Sequence, residues 1–409
     1  MRQSTHKRTI LGIVLGSVIL SLFLIVSYAY TNDTICIVEK GTLSESLSVD
    51  RGEFIDLVSG TKYEALEALK NQFNPDTGFF TYNSHPNGEV STTDNAIRQL
   101  LASRALAVHS VEIQDARAMH RQNLDTILTK LYKEEEDRAY VFAFEKSKLG
   151  ANAMLLRTLV ASPYYDEYEE QAEKLANGIV FLMNSDGSFR PWYIEPGYEY
   201  DADYLLTFYS GEALLALLEY NEMAENKVLM EKIVLSTDFY IDAYVTNIEK
   251  NYYPAYVPWH TQVLNLLHKK TGKEKYSDAL FTLNDKLLEI QDRTEFIGRF
   301  YNSETPEYGS PHVSSDAVYT EGLAYALEIA QTVGDLARVQ QYEEAIMLGY
   351  RNIKSLQHAP KWWNFFEDNK VSYGISGGFT TDSCSSWVRI DSIAHAIDGF
   401  EYIEAVFKP

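Results

Sequence analysis

Apolar residues recur along this chain in two distinct ways. In "YYDEYEEQAEKLANGIVFLMN" Tyr168, Ala172, Leu175, Ile179 and Leu182 form one stripe with a polar back. Tyr276, Leu280, Leu283, Leu287 and Ile290 do the same, as do Val339, Tyr342, Ile346, Gly349, Ile353 and Leu356. Steps of three and four predict amphipathic helices lying on an outer surface. By contrast "NAIRQLLASRALAV", "LGANAMLLRTLVAS", "GEALLALLEY" and "EGLAYALEIA" are apolar over most of their circumference. A helix apolar all round is buried all round.

The two kinds alternate. Inner-helix starts fall near Asp94, Lys148, Gly211, His260, Glu321 and Asp391, each preceded by an amphipathic helix, at spacings too uneven for a strict solenoid. Six outer and six inner helices predict an all-α domain over residues 61–409: a closed double ring of helical hairpins, with an open solenoid as the alternative. Inner-to-outer connections are short. Outer-to-inner connections are long and rich in aromatics, Gly and Pro, and several contain an acidic turn followed by an aromatic: "NPDTGFFTY", "NSDGSFRPWY", "DRTEFIGRFY". Long loops gathered on one rim predict that this rim carries the site.

Ahead of the ring, a basic tail (1–9, with Arg2, Lys7 and Arg8) precedes an uncharged apolar run over 10–30, long enough to span a bilayer. The charge asymmetry predicts an uncleaved transmembrane helix with the ring outside the cytoplasm, a cleaved signal peptide being the alternative. Residues 31–60 read as a membrane-proximal linker. The net charge of -22 repels phosphate backbones, so nucleic acid is not an expected partner. The two cysteines, Cys36 and Cys384, form no framework, although a disulfide is open to them in an oxidising compartment. No zinc-type Cys/His spacing, phosphate loop or nucleophile elbow is present, and the sequence calls for no cofactor or metal.

The hairpin count, the D-G-x-F-like turns and "YSGEALLALL" give a chain that resembles the six-hairpin (α/α)6 toroid enzymes. These include glycoside hydrolases, sugar 2-epimerases and the helical domain of glucuronyl C5-epimerases. The resemblance implies the toroid and a saccharide substrate. It transfers no catalytic residue by position.

Candidate residues come from the loops and the inner-helix starts. Asp94, Glu212, Glu321 and Asp391 are read near the first turns of inner helices, where a carboxylate serves as base or nucleophile but equally caps free N–H groups. Asp203, crowded with other acids among tyrosines in "YIEPGYEYDADY", and Asp316, in "GSPHVSSDAVYTEG", are candidates for an acid of raised pKa. His395, four residues after Asp391, is placed to bond to it and transfer protons. Trp192, Tyr198, Trp259 and Trp387 offer faces for sugar rings, and Trp362 and Trp363 lie in the last long loop. Arg98, Arg190 and Arg389, with Arg299, His260 and His312, complete the binding set. A guanidinium holds a uronate carboxylate in two bonds, or simply pairs with a neighbouring acid.

Three functions fit: a glycoside hydrolase working through paired carboxylates, which is the leading expectation; a uronate epimerase or lyase; and a non-catalytic glycan-binding or assembly component. Arginines in the funnel beside a Tyr or His would favour the second.

Overall fold

A computed structural model describes residues 49–359 and 374–408. Within them lie twelve long helices: α1 (Arg51–Asn71), α2 (Ala96–Val108), α3 (Ala116–Lys130), α4 (Leu149–Val160), α5 (Glu169–Phe181), α6 (Ala202–Ala224), α7 (Lys227–Tyr244), α8 (Val257–Thr271), α9 (Glu274–Leu288), α10 (Val313–Val333), α11 (Leu336–Ser355) and α12 (Ile390–Phe407). The even-numbered helices are those apolar all round. Each packs on the next, and α12 packs back on α2, so the inner ring is closed. Each odd-numbered helix lies outside, chiefly against the inner helix preceding it in the chain. By the same rule α1 lies against α12.

This seam corrects one boundary. Residues 51–60, expected to be linker, are the first half of α1. Phe54 is buried between the rings of Tyr350 and Phe407. Arg51 donates to the terminal carbonyls of α12, from Nε to Phe407 O at 2.7 Å and from Nη2 to Val406 O at 3.2 Å. Two helix starts also move: α6 begins at Ala202 and α10 at Val313, each more than two turns before the expected position. The expected transmembrane run over 10–30 lies outside the described residues. Among those described, no helix is long and apolar enough to cross a membrane.

The rim loops are built as short β-hairpins. Phe73–Asn74 pairs with Phe79–Phe80 and Tyr132–Glu135 with Arg138–Val141, while single bridges join Met183 to Phe189, Gln291 to Phe300 and Gln357 to Phe379. Inner-helix side chains hold them from below. Gln99 Oε1 accepts from Phe80 N at 2.9 Å, Asn152 Oδ1 from Val141 N at 2.7 Å and Asp316 Oδ1 from Phe300 N at 2.8 Å. Four hairpins carry a glycine at positive φ (Gly78, Gly187, Gly298 and Gly377), set close against Thr126, Leu235, Leu348 and Glu64 of the next outer helix round. The D-G-x-F turns are therefore ring joints, and they hold the rim in place.

Candidate active site

Along α12, Asp391, His395, Asp398 and Tyr402 recur at steps of four, three and four, off the apolar stripe. They face the axis of the ring. His395 lies 5.9 Å (ring centres) from Trp259 of α8, which is not a neighbour of α12 in the ring. Tyr402 stacks on Tyr325 of α10 at 3.5 Å. A strongly apolar helix thus opens with ionisable groups because one of its faces looks into the central funnel.

At the mouth of the funnel two guanidiniums converge on one carboxylate. Arg389 donates to Asp391 from Nε (2.9 Å) and Nη2 (2.5 Å), and Arg98 of α2 adds Nε at 2.8 Å and binds Tyr82 Oη through Nη1 at 2.6 Å. The antiparallel pair Asn83–Ser84 with Val388–Arg389 fixes the backbone that carries Arg389. Burial alone would raise the Asp391 pKa. The hydrogen bonds and charge of Arg389, with Arg98, overcome it and hold the carboxyl well below the usual range. The Asp391 side chain is 6% exposed, whereas Arg98 keeps 30% and Arg389 20%. The arginines therefore present the open surface of this triad.

Two histidines face the triad. His312 caps α10, its Nδ1 accepting from Ser314 N at 3.0 Å, while its Nε2 is buried without a hydrogen-bond partner. Burial lowers its pKa to about 4, helped by the charges of Arg389 and Arg98. His395 is likewise depressed by burial, and its Nδ1 has no partner. The expected Asp391–His395 hydrogen bond is not formed; the Asp391 oxygens instead accept three guanidinium N–H groups. Both imidazoles are neutral at physiological pH. Because His312 Nδ1 accepts from Ser314, its Nε2 carries the hydrogen and is a donor, whereas His395 keeps a ring nitrogen free to accept a proton.

Deeper along the axis, Glu212 of α6 is enclosed, with Oε2 unpartnered. Burial raises its pKa to about 8 against the opposing charges of Arg157 and Lys148. Below it, Arg157 of α4 grips Glu219 through Nε (2.9 Å) and Nη2 (2.8 Å), and Arg104 holds Asp398 at 3.0 Å. Burial pushes Glu321 upward too, reinforced by the charge of Asp398 beside it. Glu212 and Glu321 are mid-helix residues rather than first-turn caps, so the capping explanation fails for both.

The other candidates have different work. Asp94 is exposed and accepts from Asn95 N and Gln99 Nε2 beside the true cap, Asn95. Asp203 lies on α6, not in a loop, and is exposed. Asp316 is a joint: Phe300 N and Asn352 Nδ2, each at 2.8 Å, bind its two oxygens, and burial raises its pKa to about 7. His260 bonds Ser210 at 3.0 Å and packs on Tyr240 and Tyr244 behind the inner ring. Arg190 donates to Phe181 O away from the funnel, and Arg299 covers the Phe296 ring. Trp259 floors the funnel near Arg157, Trp387 packs on His85, Trp192 is buried against Tyr200 and Tyr198 is exposed. Trp362 and Trp363 lie outside the described residues.

Sequence reasoning passed over Tyr82, Lys148, Arg104, Arg157 and Glu219. The signal was available: a lone Arg or Glu inside a helix apolar all round must have a buried partner. At the far end of α2, His109, Glu112 and Glu401 stand close enough to share a cation. Lys62 Nζ already fills that place, 2.5 Å from Glu401 and 3.2 Å from Glu404.

A closed ring of six helical hairpins with an ionisable axial funnel defines the class: the chain has the six-hairpin toroid fold. Solved structures sharing it include a D-mannose isomerase (TM-score 0.64, 9% identity, 88% of this chain and 100% of that one). The cellobiose 2-epimerase of Bacillus thermoamylovorans aligns with a TM-score of 0.63 at 10% identity, over 86% of this chain and 99% of that one. An unsaturated glucuronyl hydrolase from Bacillus sp. GL1 gives 0.60 at 12% identity, over 84% and 96%. These likenesses establish the fold. No protein-family model matches the chain, and no curated protein does.

Proposed function

We propose that this chain is a carbohydrate-processing enzyme that moves a proton on a sugar carbon, as epimerases, isomerases and lyases do. One observation carries the reading: Arg98 and Arg389 open into the funnel beside a buried, neutral His395 with a ring nitrogen free to accept a proton, and a neutral His312 whose Nε2–H is free to donate. A neutral imidazole accepts the proton from a carbon next to a carbonyl or carboxylate, and the electron pair moves onto that group's oxygen. The guanidiniums stabilise the resulting negative charge. Return of the proton to the carbon's other face gives an epimer. Its return to the former carbonyl carbon, with the first carbon's hydroxyl proton passing to the oxygen there, gives an isomer. Loss of a leaving group from the next carbon gives an unsaturated sugar. Asp391 is a poor nucleophile, since both its oxygens are engaged by arginine.

Glu212 favours a second reading, glycoside hydrolysis. A carboxyl that keeps its proton up to about pH 8 is suited to protonate a glycosidic oxygen. We further propose that the N-terminal apolar run anchors the ring outside the cytoplasm. The disulfide-bonded state of Cys384 supports an oxidising compartment.

One preparation tests both proposals. Membranes bearing the full chain are washed at alkaline pH, and the retained protein is incubated in heavy water with neutral and acidic saccharides. Deuterium on carbon in unshortened sugars is the expected result, and shortened chains with new ultraviolet absorbance also fit proton abstraction. Shortening without deuterium or absorbance moves the assignment to hydrolysis. Release of the chain into the wash overturns the anchor.

A further inference from the structure

Lys146 and Lys148 precede α4 at the funnel rim, where Ser147–Lys148 pairs with Trp192–Ile194. Lys146 Nζ donates to Tyr198 Oη at 3.0 Å and lies 5.0 Å from the centre of that ring, and Lys148 Nζ lies 5.9 Å from the Trp192 ring. Lys174, Lys269, Lys270, Lys275 and Lys286 each hold a carboxylate within ion-pair distance. Lys146 and Lys148 hold none among the described residues. The surroundings of Lys148 are largely cationic: the charges of Lys146 and Arg98 add to burial in lowering its pKa, and only Glu212, which retains its proton, opposes them. In a chain of net charge -22, positive groups gathered without an internal counter-charge destabilise the fold. Such a cluster is suited to an anion supplied from outside.

We propose that Lys146 and Lys148, with the buried Trp192 as wall and the exposed Tyr198 as platform, form a second anion subsite. It holds an acidic sugar unit adjacent to the unit bound at Arg98 and Arg389. The substrate is then a polysaccharide charged on more than one sugar. This rests on the carbohydrate-processing reading above and names its substrate class. The exposed face of Tyr198 stacks on a pyranose ring, and the ammonium groups select its carboxylate.

The test is calorimetric, on the full-length chain in a non-ionic detergent. The probes are galacturonate, its tetramer, a hyaluronan hexasaccharide, an alginate tetramer and neutral maltotetraose. At least one acidic oligomer is expected to bind about tenfold tighter than both the monomer and the neutral tetramer, and more weakly as salt rises. The double variant K146M/K148M is expected to lose that gain from monomer to oligomer, and K146R/K148R to keep most of it, with thermal melts showing that both fold. Equal binding of neutral and acidic oligomers, or an undiminished gain in the Met variant, overturns the subsite alone. Binding of no saccharide at all overturns the subsite and the carbohydrate reading together.

Discussion

Glu212 shows how one side chain ties stability to chemistry. Its ordinary pKa is 4.5, and burial in the folded chain lifts it to about 8. Between those values the unfolded chain has released a proton that the folded chain keeps. Stability from this group is therefore fully present below about pH 4.5 and is lost as pH rises toward 8, by at most about 1.4 kcal/mol per pH unit. Asp316 and Glu321, also raised by burial, act with the same sign. The variant E212Q keeps the shape and removes the titration. Urea unfolding at pH 5, 6.5 and 8 is expected to show a shallower fall for E212Q than for the parent, and greater stability at pH 8. An unchanged slope would mean that Glu212 is already ionised in the fold, and the hydrolytic reading would lose its acid.

Rim hairpins and helices each reveal a different part of themselves in sequence. Gly298 sits at φ 95°, and a β-carbon there would run into the carbonyl oxygen of Leu348, whereas Gly309, at φ 107°, faces open space. Gly309→Ala carries only the backbone cost, about 1 kcal/mol. Gly298→Ala adds displacement of an outer helix and is expected to cost about 3 kcal/mol. Chemical denaturation of the two variants compares them directly. Equal losses would mean that the hairpin does not bear on α11. The turn signature was visible beforehand because its φ demands glycine. Its role as a joint was not, since the partner residue lies on a helix far along the chain. Alternating outer and inner helices were also readable, because burial on one side or on all sides writes itself into periodicity. The starts of α6 and α10 were not. Residues 202–208 and 313–316 project toward the rim, where the surroundings are partly solvent and partly polar joints. Residues 202–208 are exposed or half-buried throughout and 313–316 are polar but for Val313, so neither stretch carries the all-round apolar pattern of the turns that follow. The same limit applied to the site: Arg98 and Glu212 were named singly and Asp391 was paired with His395, but that Arg98 and Arg389 share Asp391 follows only from ring closure, which brings α2 beside α12.

Closure gives the whole molecule its most specific dependence. Every inner helix has two inner neighbours, and the seam is sealed from outside by α1, whose first half lies before the boundary that hydrophobic patterning placed at residue 61. A chain beginning at residue 49 retains Arg51 on the α12 carbonyls and Phe54 between Tyr350 and Phe407. One beginning at Thr61 loses both, together with the fully buried Val58. Removal of Phe54 alone is worth about 3–5 kcal/mol, and Val58 adds about 1.5 kcal/mol or more. Their sum rivals the entire stability of a typical domain, about 5–15 kcal/mol. The shorter chain is therefore expected to lose its cooperative melt or to show it at much lower temperature, and to lose saccharide binding, because α12 carries Asp391 and His395 and adjoins Arg389. The longer chain is expected to melt in one transition. Circular dichroism melts of the two settle the matter. A 61–409 chain as stable as the 49–409 chain would mean that the ring closes without the first half of α1, and the funnel would have to be held by the inner helices alone.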